Sequence, residues 1–196
     1  ADLSEKVDAN AQDVARGIGL DGRIGAKFLN AGPGYGGSCF PKDTLALVKT
    51  ADDVGAGMQI VRTTVAVNDT RKKAMAERIV KACGGSVEGK TIGVLGLTFK
   101  PNTDDMRDAP SLDIVPALIA QGARVTFAAD PYEAADGAHA LVLVTEWDQF
   151  RALNLSRLAA GMAPDPVLID MRNVYSRADA TRHGFRYLGI GLGAQG

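Results

Sequence analysis

The chain has 196 residues, with 22 basic against 23 acidic side chains and a formal net charge of −1. That balance argues against a nucleic-acid or membrane-surface protein, which would carry a basic excess. The 46% hydrophobic and 23% charged content is ordinary globular composition, and the length fits one domain or one and a half. No apolar run is long enough to span a bilayer, and Ala1–Lys6 lack the basic-then-apolar order of a secretion signal. Two cysteines make no disulfide framework and point to a reducing cytosol. With the two histidines far from them, a structural zinc site is not expected.

Leu3, Val7, Val14 and Ile18 recur at helical spacing, as if the chain opened inside a helix. The pattern breaks at Asp8-Ala9-Asn10, where Asn10 is placed to cap a second short helix. Eight glycines then fall between Gly17 and Gly37, the mark of a loop that needs close backbone approach or unusual angles. Pro41-Lys42-Asp43 leads into a third helix through Thr44–Val48, broken near Gly55-Ala56-Gly57. A long helix is predicted over Met58–Ala82, with Val61, Val65, Asn68, Lys72, Met75, Ile79 and Cys83 at steps of three or four. At about 1.5 Å per residue it would reach roughly 37 Å, so it is expected to link two lobes or pair with a copy of itself.

Past Gly84-Gly85 the pattern changes class. Strands are predicted at Thr91–Leu97, Ala123–Phe127, Ala140–Thr145, Val167–Asp170 and Arg186–Ile190, with a helix at Pro110–Gln121. The fold class expected is therefore α/β: a helical segment over 1–83, then a Rossmann-like doubly wound parallel sheet over 84–196. Ligands bind at the carboxyl ends of such strands, here the loops Thr98–Asp108, Glu146-Trp147 and Met171–Val174. Barely a dozen residues separate the strand at Ala123–Phe127 from the one at Ala140–Thr145, too few for the further strand and helix a doubly wound sheet needs. A segment is therefore expected to be missing close to Val125-Thr126.

Gly36-Gly37-Ser38-Cys39-Phe40-Pro41-Lys42-Asp43 is the stretch richest in chemistry. Cys39 precedes a helix start, where free N–H groups and the helix dipole favour an anion, and Lys42 adds positive charge. Both favour the reactive thiolate. Cys83, at the opposite end of a helix, reads as a plain packed thiol. Asp43 is either a helix cap or a proton acceptor close to the sulfur. Lys100 and Arg107 stand among Asp104, Asp105 and Asp108, as a solvated loop of mixed charge would also arrange them.

Four runs, in this order, resemble the UDP-glucose/GDP-mannose dehydrogenase family: Gly32–Asp43, Gly96–Arg107, Val144-Thr145-Glu146-Trp147 and Asp170-Met171-Arg172-Asn173. Phe40 after the cysteine looks more like the UDP-glucose branch than the GDP-mannose branch. The resemblance implies an NAD-dependent, four-electron oxidation of UDP-glucose at C6, with Cys39 the nucleophile and Asp43 positioning or activating water. It implies substrate contacts from Arg23 (toward a neighbouring subunit), Phe28, Leu29, Asn30, Ala31, Gly32, Tyr35, Gly36, Lys100 and Arg172. It also implies cofactor contacts from Lys42 and Arg107, and a homodimer through the 58–82 helix. The family's N-terminal NAD-binding domain, with its Gly-x-Gly-x-x-Gly turn, has no counterpart here, so the polypeptide alone is expected not to turn over. GDP-mannose or a UDP-N-acetylhexosamine as substrate, and a sugar-nucleotide binding module without chemistry, are the alternatives. A cysteine hydrolase is disfavoured because no histidine lies near Cys39 in sequence.

Overall fold

In a computed structural model, described over residues 1–193, helices and parallel strands alternate after a helical opening. The opening comprises α1 (Asp2–Lys6), α2 (Ala11–Gly19), α3 (Phe40–Asp53) and the long α4 (Gln59–Ala82). Asn10 does cap α2, its side-chain oxygen accepting the Gln12 N–H at 2.8 Å. The glycine-rich stretch between α2 and α3 forms no regular element. Then follow β1 (Ile92–Leu95), α5 (Ser111–Ala120), α6 (Pro131–Ala135), β2 (Ala140–Leu143), α7 (Leu155–Gly161), β3 (Val167–Asp170), α8 (Arg177–Arg182) and β4 (Arg186–Gly189).

The four strands among the described residues are all parallel and stand in the order β1-β2-β3-β4. The strand expected at Ala123–Phe127 is reduced to one parallel bridge, Thr91 to Arg124, on the free side of β1. Arg124 makes two backbone bonds there, donating to Lys90 O at 2.8 Å and accepting from Ile92 N at 3.0 Å. The chain thus leaves β1 in one direction, reaches Arg124, and returns past β1 to build β2. That reversal is the topological switch point of a doubly wound sheet, and it opens a crevice at the carboxyl ends of β1 and β2.

Both faces of the sheet are covered, so its central strands are apolar throughout rather than alternating. Ala140, Val142 and Val144 face a layer containing Met75, Ile79, Ile114 and Leu118 from α4 and α5. Leu141 and Leu143 face the other layer, with Leu158 and Ala180 from α7 and α8. Each such fully buried Val, Leu, Ile or Met side chain contributes about 1.5–3 kcal/mol. The second half of α4 is therefore part of the sheet's own core, while Ile60 and Val67 in its first half are exposed.

The N-terminus is tied to the last strand. Arg78 of α4 donates to both Glu5 carboxylate oxygens, at 2.8 and 2.6 Å, and to Gly189 O at 2.8 Å. The Glu5 carboxylate also accepts the Gly191 N–H at 2.7 Å, and Asn10 bridges Leu192. Burial pushes the Glu5 carboxyl up, but the Arg78 and Gly191 donors outweigh it and hold it below its ordinary 4.5. A depressed carboxylate stabilises the fold above its unfolded pKa and loses that contribution as pH falls through the folded value. Glu5→Gln should therefore cost about 1–2 kcal/mol at pH 7. Its thermal unfolding should also vary less with pH than the parent's as acidity rises below pH 4.5, the unshifted carboxyl value; parallel acid slopes would disprove the tether.

Candidate active site

Cys39 stands at the N-cap position of α3, with Pro41 in the first turn, and it is exposed. Proline suits that turn because its missing N–H has no helical partner there to lose. The sulfur lies 3.7 Å from Ser38 Oγ. Asp43 does not cap the helix, since no side chain does so; its own N–H donates to Cys39 O at 2.9 Å, one turn along. The Asp43 carboxylate accepts from Lys42 Nζ at 2.5 Å. Across the loop, Arg107 grips Asp105 through its main-chain N–H, Nε and Nη2, at 2.8–2.9 Å. That grip pulls the Asp105 carboxyl down to about 2. Lys42 and Arg107 are both held above their ordinary values, first by these carboxylate partners and then by negative charge at Cys39. Two cations thus stand within electrostatic reach of the sulfur.

The cysteine loop is clamped from two sides. Gly37 N–H donates to Arg107 O at 2.7 Å, and a Cβ on Gly36 would lie 2.2 Å from Asp108 O. No larger residue fits at Gly36 without parting the cysteine loop from the loop that follows β1. From the other side Asn68 of α4, 7% exposed, brackets the Tyr35 peptide: its side chain accepts the Tyr35 N–H at 2.8 Å and donates to Tyr35 O at 3.1 Å. The Tyr35 ring meets Phe40 edge to face, with centroids 4.7 Å apart.

Leu29, Asn30 and Ala31 line a cavity of about 300 Å³ with Arg172, Asn173 and Gln12. A neighbouring space of about 450 Å³ takes Phe28, Leu29, Asn30, Ala31, Gly32 and Arg71. Gly32 is held between two guanidinium groups. Arg71 Nε donates to Gly32 O at 2.6 Å, and a Cβ on Gly32 would come within 2.3 Å of Arg172 Nη1. Arg172 follows β3 and pairs with Glu146, which follows β2, at 2.5 Å. Arg71 Nη2 and Arg172 Nε are buried with no hydrogen-bond partner among the described residues. Buried donors of this kind carry a cost that an incoming oxygen ligand would remove.

Leu29–Gly32 and Arg172 are thus brought together, and Tyr35, Gly36, Cys39, Lys42, Asp43 and Arg107 form a second, linked group. Cys39 lines neither cavity. Lys100 lies over the Phe99 ring, 5.1 Å from its centroid, and lines neither cavity. Arg23 stays on the surface, its side chain 89% exposed and paired with Asp21 at 2.5 Å. Phe28 is 99% exposed with φ +65°. Asn68, Arg71 and Glu146 escape the sequence reading as site residues. The signal for Asn68 was its polar side chain on the inward stripe of α4. Trp147 is a packing residue whose Nε1 donates to Thr98 Oγ1 at 3.0 Å.

The model of the UDP-glucose/GDP-mannose dehydrogenase family central domain matches residues 1–70. That of the family's UDP binding domain matches residues 93–131 and, overlapping, 123–177. The UDP-glucose 6-dehydrogenase of Rhizobium meliloti (strain 1021) is 58% identical over 209 residues, covering 97% of this chain and 48% of that protein. Its Pseudomonas aeruginosa counterpart is 40% identical over 215 residues, covering 97% of this chain and 47% of that one. The solved UDP-glucose dehydrogenase of Pyrobaculum islandicum superposes with a TM-score of 0.82 at 30% identity, over 97% of this chain and 45% of its own. An NDP-N-acetyl-D-galactosaminuronic acid dehydrogenase from Methanosarcina mazei gives 0.84 at 26% identity, over 97% and 46%. The chain spans about half the length of these relatives. With the cysteine loop, the switch-point crevice and both matched models in agreement, this chain belongs to the UDP-glucose/GDP-mannose dehydrogenase family.

Proposed function

We propose that this chain supplies the nucleophile and the sugar-nucleotide seat of an NAD-dependent UDP-glucose 6-dehydrogenase. In this reading residues 1–83 carry the cysteine loop and the dimer helix, and residues 84–196 bind the UDP-sugar. One observation carries it: the Cys39 loop is locked by Gly36 and Gly37 onto the loop that follows β1 at the switch point. A reactive thiol and a nucleotide crevice are thereby held in one frame. Exposed Ile60 and Val67 on the first half of α4 support pairing with a second copy through that helix.

Arg172, Arg71 and the Asn30–Gly32 backbone offer donors to phosphate and sugar oxygens. Lys42 and Arg107, exposed cations beside the sulfur, suit the pyrophosphate of a dinucleotide at the rim of the site. NAD⁺, when bound, supplies the hydride acceptor for each of two successive oxidations. Cys39 Sγ adds to the C6 aldehyde, forming a carbon–sulfur bond while the carbonyl oxygen takes a proton. The sulfur retains the sugar covalently through the second oxidation, as a thiohemiacetal and then a thioester. Water cleaves the thioester, Asp43 accepts the water's proton, and the uronate leaves with Cys39 restored.

The 196-residue chain should bind UDP-glucose in calorimetry more tightly than GDP-mannose, and Arg172→Ala should weaken that binding by about 10- to 100-fold. Equal affinity for the two nucleotides would remove the UDP-glucose assignment. A thiol reagent should find one fast group in the folded chain. Cys83 is 5% exposed and burial pushes its thiol up, so it should react after unfolding, and Cys39→Ser should abolish the fast phase. A fast phase that persists in Cys39→Ser would place the reactive sulfur elsewhere.

A further inference from the structure

Arg172 reaches its cavity on a long side chain, and such a chain has many rotamers open to it. Its main chain has no such freedom. The buried Asp170 carboxylate accepts the Arg172 N–H at 3.1 Å and the Tyr175 N–H at 2.9 Å, folding the loop after β3 around itself. The Asn173 side chain donates to Ile190 O at 2.8 Å and accepts the Ile190 N–H at 3.0 Å, tying the same loop to the end of β4. What remains to be set is the direction of the guanidinium. Among the described residues Glu146 is its one hydrogen-bond and ion-pair partner, Oε1 accepting from Nη2 at 2.5 Å.

Glu146 is itself a fixed post. It stands between Thr145, whose Oγ1 donates to Thr98 O at 2.5 Å, and Trp147, whose Nε1 donates to Thr98 Oγ1 at 3.0 Å. Its side chain is 20% exposed and lines neither cavity of the site, so it meets a ligand there only through Arg172. A guanidinium carries five N–H donors, and Glu146 engages Nη2 alone. Nε is buried with no partner among the described residues, and Nη1 lies where a Cβ on Gly32 would collide with it. With Nη2 anchored on one side and the bare glycine backbone on the other, the planar group is held in one orientation. Without the anchor the head group would swing, and each binding event would have to order it again.

We infer that Glu146 is a positioning residue, aiming Arg172 at the phosphate and sugar oxygens of the nucleotide without touching them. This rests on reading that cavity as the sugar-nucleotide seat. A carboxylate beside the guanidinium also reduces the positive charge offered to a phosphate, an effect of opposite sign. Geometry outweighs it here. One donor of Arg172 is already buried unpaired, and a binding group must hold its productive place to about 0.5 Å. A misdirected guanidinium loses bonds that extra net charge does not replace.

The test measures UDP-glucose binding to the 196-residue chain by calorimetry. Glu146→Asp keeps the charge but draws it back from Nη2, and it should weaken binding about tenfold, as should Glu146→Ala. Glu146→Gln, whose amide oxygen still accepts from Nη2, should stay within about threefold of the parent. Glu146→Ala added to Arg172→Ala should cost nothing further, since the glutamate acts through the arginine. Tighter binding in Glu146→Ala, lowered melting with unchanged affinity, or a full further loss in the double variant would overturn the inference. The Arg172 Nε–H signal in nitrogen-15 NMR reads the aim with no ligand present. It should exchange slowly with water in the parent and in Glu146→Gln, and at least tenfold faster in Glu146→Asp, as the head group opens to solvent. An unchanged exchange rate in Glu146→Asp would overturn the inference whatever the nucleotide affinity. A parent that binds no UDP-glucose while this signal responds as expected would strike the sugar-nucleotide reading and uphold Glu146 as the group that aims Arg172.

Discussion

The geometry of this protein depends on α4 serving two layers at once. Its second half is core: Met75, Ala76 and Ile79 are almost fully enclosed against the sheet, so the helix cannot rotate or slide without opening that core. Its middle presents Asn68 and Lys72 on the same inward stripe. There Asn68 closes both hydrogen bonds of the Tyr35 peptide, and Lys72 pairs with Asp113 in the first turn of α5 at 3.3 Å. A buried amide with both functions satisfied fixes one geometry, because any shift leaves a donor or acceptor unpaired in a low-dielectric interior. The position of the cysteine loop is thus inherited from hydrophobic packing around Ile79, some three turns away along the helix.

The charges around Cys39 are arranged for another purpose than stability. Lys42–Asp43 is an exposed pair, and in Arg107–Asp105 the guanidinium is exposed while the carboxylate is half-buried; pairs open to solvent in this way contribute little to folding. What they fix is where positive charge stands: beside a sulfur already at the mouth of a helix. The backbone contributes more to rigidity than the ion pairs do, since Gly37 bonds to Arg107 O and Gly36 sits directly on Asp108. Electrostatics and sterics therefore divide the work, with glycines setting the distance and cations the local potential.

Much of this was legible in the sequence, for identifiable reasons. The Asn10 cap, the end of α4 at Gly84-Gly85 and the strands β2 to β4 follow from local rules of capping and apolar runs. The short helices α6, α7 and α8 carry too few turns to show a period, and they form because the sheet's second face needs cover. Arg124 was legible as a strand residue, but a strand also needs a length of partner, and the chain turns away after one bridge. Within the site, sequence marks Cys39, Asp43 and Arg172 by position next to element ends. Arg71 and Glu146 were invisible because their roles arise from contacts with Gly32 and Arg172, which lie 39 and 26 residues away along the chain respectively.

The segment Phe28–Gly32 shows how the fold holds a site in readiness. Phe28 adopts a left-handed backbone that a bulky aromatic rarely takes, and its ring contacts solvent rather than the core. Arg71 and Arg172 each keep a buried donor unsatisfied a few ångströms from the Gly32 backbone. Strain and unpaired donors both lower stability, and hydrophobic burial elsewhere sustains them. They persist together at one place because the same three elements meet there: the glycine-rich loop, α4 and the carboxyl end of β3. A ligand oxygen that pairs with these guanidinium groups gains the full strength of a charge-assisted bond without reorganising the protein, whereas a site relaxed in its absence would have to reopen first.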